Sequence, residues 1–121
     1  MGLLARLSSS ARDAPSEVED IVEHLQRLLN TRKGDAPMDP EYGISDFNGV
    51  IHPDAIRALR QDIEKTIEKY EPRLERVRVT NSSQEESLVL RLDIVARTKS
   101  QRGTLRLRTD LLPGGVVRVR R

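Results

Sequence analysis

Two histidines, His24 and His52, and an acid–base pair two residues apart, Glu71 and Arg73, are the side chains whose types and spacing could do chemistry. The chain has no cysteine, which removes thiolate nucleophiles, disulfides and Cys-ligated zinc or iron–sulfur centres. His24 sits at the edge of an apolar helical stripe and His52 just before a helix start, so each reads as a packing or capping residue. Neither belongs to a spaced carboxylate motif of the kind a metal needs. There is no nucleophile elbow, P-loop or HExxH, and Pro113-Gly114-Gly115 precedes a strand and not a phosphate-binding helix. The expectation is therefore no catalytic, cofactor-binding or metal-binding residue, and no small-molecule substrate.

The most informative stretch is Glu71-Pro72-Arg73-Leu74. A glutamate in the last turn of a helix faces the negative end of the dipole, where a cation is preferred. Something must compensate for it, and Arg73 is within reach. One reading is a local ion pair that fixes a helix-to-strand corner; the other is a charged pair held there for another protein chain. A partly exposed pair adds only about 0–1 kcal/mol to stability, so on the second reading its loss would harm assembly far more than folding.

The elements that would carry these residues follow from periodicity. Leu3, Leu4 and Leu7 suggest a short amphipathic turn, and Ser8–Pro15 a linker, so residues 1–15 stand apart from a single domain over 16–121. Ser16-Glu17-Val18-Glu19 is a capping box, and Ile21, Val22, Leu25, Leu28 and Leu29 form a 3.6-period stripe. Residues 33–52 carry three Gly, two Pro and no periodicity, yet hold two of the three aromatics, Tyr42 and Phe47. That predicts an ordered loop folded on the helices. His52-Pro53-Asp54 opens a second helix with apolar residues at Ile56, Leu59, Ile63, Ile67 and Tyr70, and Pro72 ends it. The period then switches to two through Val77/Val79, Leu88–Ala96, Leu105/Leu107 and Val116–Arg120. The fold class is α+β: two main helices on one face of a three- or four-stranded antiparallel meander. In such a meander Val77–Asn81 and Val116–Arg120 are the outer strands, each with a row of unpaired backbone groups.

At 36% apolar and 33% charged residues the composition is polar but short of disordered. Residues 1–72 hold 9 Lys/Arg against 14 Asp/Glu, and residues 73–121 hold 12 against 5. Two surfaces meeting different partners, or two halves neutralising each other in one domain, both fit that asymmetry. The arginine-studded strands could suggest nucleic acid, but they carry no aromatic for bases to stack on. No apolar run approaches the ~20 residues of a membrane span, and Arg6 interrupts the opening too early for a signal peptide. A cytoplasmic protein without membrane insertion is expected.

Three segments taken together, His24–Gly34, Tyr42–Phe47 and Tyr70–Leu74, resemble the phage baseplate-wedge or lysozyme-like family. Within it the chain is most similar to the TssE-type subunits of type VI secretion baseplates. The resemblance implies a structural part of a contractile injection machine, in six copies per baseplate and monomeric alone, whose partners are baseplate wedge subunits and contractile sheath proteins. It implies wedge contacts at Glu71, Pro72 and Arg73. It implies docking of a sheath strand by β-augmentation, for which the terminal strand Val116, Val117, Arg118, Val119 and Arg120 is the better candidate. Asn30, Arg32, Gly34, Tyr42, Gly43, Asp46 and Phe47 match the family's loop and helix-end positions. The lysozyme label raises a muramidase alternative, and a basic nucleic-acid module is a weaker one. A cation beside Glu71 would lower its pKa, the wrong direction for the general acid of glycoside hydrolysis.

Overall fold

The computed structural model describes residues 13–47, 52–82, 89–100 and 102–121. The leucine-rich opening, most of the expected linker, and Leu88 lie outside them. Helix α1 spans Asp13–Asn30 and α2 spans Pro53–Tyr70; strands β1 (Leu74–Asn81), β2 (Leu90–Thr98), β3 (Thr104–Leu112) and β4 (Val116–Arg120) follow. Helix α1 thus begins three residues before the sequence-based start at Ser16. Asp13–Pro15 belongs to the helix rather than to a linker, because Pro15 falls in the first turn, where its missing N–H has no intrahelical partner to lose. Helix α2 starts where expected: His52 is its N-cap, with Nδ1 accepting from Asp54 N at 3.2 Å.

The strands form one antiparallel sheet in the order β1-β2-β3-β4. Registers such as Ile94↔Leu107 and Thr109↔Val119 put the apolar residues of every strand on one face. A bulge between Glu75 and Arg78 places Arg76 at φ 53° and keeps Val77 pointing inward. Ile21, Leu25, Leu28 and Leu29 of α1 and Leu59, Ile63 and Ile67 of α2 close over that face, with α1 over β4 and α2 over β1.

The loop after α1 completes the core. Arg32 and Ile44 form a parallel bridge, with Lys33 N donating to Ile44 O at 3.0 Å and Ile44 N to Thr31 O at 2.9 Å. Ile44 and Phe47 are wholly buried. Tyr42 packs edge-on against Tyr70 at 5.0 Å between ring centres, and Tyr70 donates to Asp39 at 2.8 Å. Gly43 holds the closest approach: at φ +109°, a Cβ there would sit 2.3 Å from the carbonyl oxygen of Thr31. Gly43→Ala is expected to cost about 2–3 kcal/mol through combined backbone strain and clash, read as a lower denaturation midpoint; an unchanged midpoint would mean the loop shifts freely.

Both outer strands are closed by helix side chains. On β1, Val77 N donates to Glu68 Oε2 at 3.2 Å and Val79 N to Glu64 Oε2 at 2.7 Å. On β4, Val117 N donates to Asn30 Oδ1 at 2.9 Å, Asn30 Nδ2 donates to Val117 O at 2.7 Å, and Val119 N donates to Gln26 Oε1 at 2.7 Å. Gln26 Nε2 also donates to Val117 O, and Arg32 to Gly115 O. The edge rows expected to be unpaired are therefore occupied at these groups, because each helix lies close enough to its edge strand for polar side chains to reach the backbone.

Candidate functional site

The corner between α2 and β1 is built around Glu71. Its N–H caps the helix by donating to Ile67 O at 2.8 Å, and Pro72 then turns the chain toward β1. The carboxylate is wholly buried and accepts four hydrogen bonds. Arg73 gives three: from N at 3.1 Å and Nε at 2.9 Å to Oε2, and from Nη2 at 2.8 Å to Oε1. His24 gives the fourth, its Nδ1 lying 3.0 Å from Oε1. A carboxylate only accepts, so that nitrogen carries the hydrogen. The other ring nitrogen lies 3.4 Å from the Tyr42 hydroxyl, which links α1, the loop and the corner. Lys99 N donates to Arg73 O at 3.0 Å and ties in the turn after β2.

The misplaced helix-end acid is thus compensated by two cationic or polar partners and not by Arg73 alone. Burial pushes the Glu71 carboxyl up, but the hydrogen bonds from the Arg73 guanidinium, from His24 and from the Arg73 N–H outweigh it and hold the group below the ordinary carboxylate range. Reciprocally, the hydrogen bond to Glu71 raises Arg73. An acid kept ionised and saturated with donors is poorly suited to protonate a leaving group.

The sequence treats this pair as partly exposed, and the structure corrects that. The Glu71 side chain has 0% exposure and that of Arg73 37%. Only Pro72 and the outer part of Arg73 present surface at the corner. They border an open groove of about 490 Å³ whose other walls are Asp20, Glu23, His24 and Arg27 of α1. Glu71 is a positioning residue beneath that groove.

The remaining expected positions fall into two places. Asn30 and Arg32 lie at the end of α1 against β4; Arg32 also donates to Leu29 O at 2.9 Å and stacks its guanidinium 4.8 Å above the Phe47 ring. Burial lowers the Arg32 pKa, against Asp46 and Asp35, which act to raise it. Gly34, at φ +96°, turns the chain out of that helix end. Tyr42, Gly43 and Phe47 belong to the loop after α1 described above, and the groove and the β4 edge lie on different parts of the molecule joined by α1. Within Val116–Arg120, Val117 and Val119 point into the core while Val116, Arg118 and Arg120 face outward.

Sequence reasoning missed the partners of both sites. The sequence makes His24 a packing or capping residue and gives Gln26 no role. The available signal was the i, i+4 spacing of Gln26 and Asn30, which places two amides on one line beside the apolar stripe. Among the described residues no group of three or more His, Asp or Glu could hold a metal ion, and no helix is long and apolar enough to cross a membrane.

Residues 15–103 match the family described as Baseplate wedge protein gp25. Among solved structures the chain is similar to a Geobacter sulfurreducens protein provisionally described as a tail lysozyme, with 27% identity and a TM-score of 0.69 over 79% of this chain and 90% of that one. It also shares the fold of a chain in the baseplate complex from the type VI secretion system, with 23% identity and a TM-score of 0.66 over 81% of this chain and 94% of that one. No curated protein matches it. The family match ends at residue 103, just before β3 begins at Thr104.

Proposed function

The chain belongs to the family of baseplate wedge protein gp25, and we propose that it is the structural subunit of a type VI secretion baseplate that joins the wedge to the contractile sheath. Its partners on this reading are wedge subunits at the Pro72–Arg73 corner and a sheath strand at β4. The baseplate role rests on the family match over residues 15–103. Fixing Arg73 through a buried carboxylate leaves its outer face preorganised for a protein contact, which suits assembly better than turnover.

The observation that carries the sheath reading is how the two sheet edges are closed. On β1 the carboxylates of Glu64 and Glu68 accept from strand N–H groups. A strand added there would have to displace two charges. On β4 the amides of Gln26 and Asn30 both donate and accept, as a neighbouring peptide would. An incoming strand replaces amide with amide at little net cost, so β4 is the exchangeable edge.

The test uses a labelled peptide carrying the terminal strand of the cognate sheath protein. Gln26→Ala combined with Asn30→Ala should bind it about tenfold more tightly than wild type, because roughly 1.4 kcal/mol of competing hydrogen bonds is gone. Unchanged or weaker binding by the folded double variant would move sheath docking away from this edge.

A further inference from the structure

The sheet has a second face that the helices do not touch. Alternation places Arg78 of β1, Arg91 and Arg97 of β2, Arg106 and Arg108 of β3, and Arg118 and Arg120 of β4 on it. The acids on the same face are Glu75, Asp93 and Asp110. Asp110 is already committed to Arg91 at 2.7 Å and reaches Arg120 only at 3.7 Å, while Asp93 lies 4.0 Å from Arg108. No described element lies over this face.

The excess positive charge is concentrated at one corner. A depression of about 340 Å³ is lined by Arg106, Arg108, Arg120 and Arg121 around Asp93 and Val95. Arg108 and Arg120 stand directly opposite each other in the β3–β4 register. Like charges directly opposite destabilise a sheet, so folding alone would not favour this pairing. Among the described residues Arg106 and Arg121 have no anionic partner. Solubility does not require arginine either: lysine serves it equally, yet no lysine stands in any of the four strands. What arginine adds is a planar fork that binds carboxylates in bidentate fashion.

We propose that this open face docks an acidic α-helical segment of another protein, with its carboxylates seated on Arg106, Arg108, Arg120 and Arg121. The spacing favours a helix. Same-face residues along β3 repeat at about 6.6–6.8 Å, and side chains at i and i+4 on a helix repeat at about 6 Å. Two successive carboxylates therefore meet Arg106 and Arg108, and the strand alongside supplies Arg120. The twisted sheet already accepts helices on its inner face. Nucleic acid fits less well, because the face has no aromatic to stack on and its three acids would oppose a continuous polyanion. A discrete pattern of carboxylates avoids them. This surface lies away from the wedge corner and adjoins β4 through Arg120, but it uses side chains of the open face and not the β4 backbone edge, so the peptide test below reads it independently of the sheath reading.

The probe is a fluorescent, alanine-rich helical peptide of about 18 residues with Glu at i, i+4 spacing, long enough to hold helix, followed by anisotropy against the full chain at low salt. Binding that weakens steeply with salt, is lost when the Glu residues are Gln, and drops at least about tenfold in Arg106→Glu with Arg120→Glu is expected. Both substituted positions are exposed, and an unchanged circular dichroism melt of the double variant shows that the fold is kept. Four results overturn the proposal: no peptide binding at low salt; equal binding by the double variant; duplex DNA of about 20 base pairs bound more tightly than the peptide; or concentration-dependent self-association of the chain abolished by the same two substitutions, which would make a second copy the occupant.

Discussion

Glu71→Ala is expected to lower folding stability by about 2–4 kcal/mol, through the lost charged hydrogen bonds of a wholly buried side chain and the cavity left in its place. The substitution removes the acceptor for four hydrogen bonds and leaves His24 and the Arg73 guanidinium facing a cavity at the helix-to-strand corner. Arg73→Ala should cost less, about 1–3 kcal/mol, because the carboxylate keeps His24 and the backbone N–H of residue 73. Chemical denaturation of both variants checks the order. If Glu71→Ala melts with wild type, the corner is a surface feature and Glu71 is free to contact partners itself.

The same geometry sets a direction with pH. Glu71 is held below its ordinary value in the folded protein, so the unfolded chain binds the proton more readily. The contribution to stability is fully present above the unfolded carboxylate pKa of about 4.3. It is lost as the pH falls through the folded value. Glu71→Gln should flatten that part of the acid limb while leaving the slope from other carboxylates in place.

Much of the architecture was legible because each element announces itself within a few residues. The apolar stripe from Ile21 to Leu29, the Pro53 start and Pro72 stop of α2, and the switch to period two after Leu74 are local signals, and local physics decides them. The start of α1 was misplaced because Ser16 makes a good cap, and a good cap three residues inside a helix looks the same in sequence as one at its end. The bulge at Arg76 was invisible: nothing about an arginine announces a positive φ, which the β1–β2 register imposes from outside.

The sites were half legible for the same reason. Glu71 drew attention because its charge opposes the helix dipole, and Arg73 was near in sequence. His24 lies 47 residues away and becomes a partner only when α1 crosses the corner. Likewise Gln26 and Asn30 read as ordinary polar flanks until β4, some 90 residues on, is laid beside them. Sequence separation, not residue type, divides the partners that are visible in the sequence from those that only the fold brings together.

Deleting residues 116–121 is expected to prevent stable folding altogether. In the sequence this strand reads as an outer edge, and its deletion leaves two outcomes open: a folded chain that tests sheath docking, or unfolding because the core needs the strand. In the structure Val117 and Val119 are core residues, each worth about 1.5–3 kcal/mol when buried. The deletion also strips β3 of its outer neighbour over five register pairs from Leu112↔Val116 to Arg108↔Arg120. Gln26 and Asn30 lose the backbone groups they hold, and the α1 side of the core opens to water. These losses reach the scale of the roughly 5–15 kcal/mol that keeps a domain folded. Far-ultraviolet circular dichroism and a thermal melt of the truncated chain decide the point. A cooperative transition near that of the full chain would show that β4 is only laid on the sheet, and the truncation would then report on docking. Loss of the transition means that docking must be read from Gln26→Ala and Asn30→Ala, which open the edge while β4 stays in place.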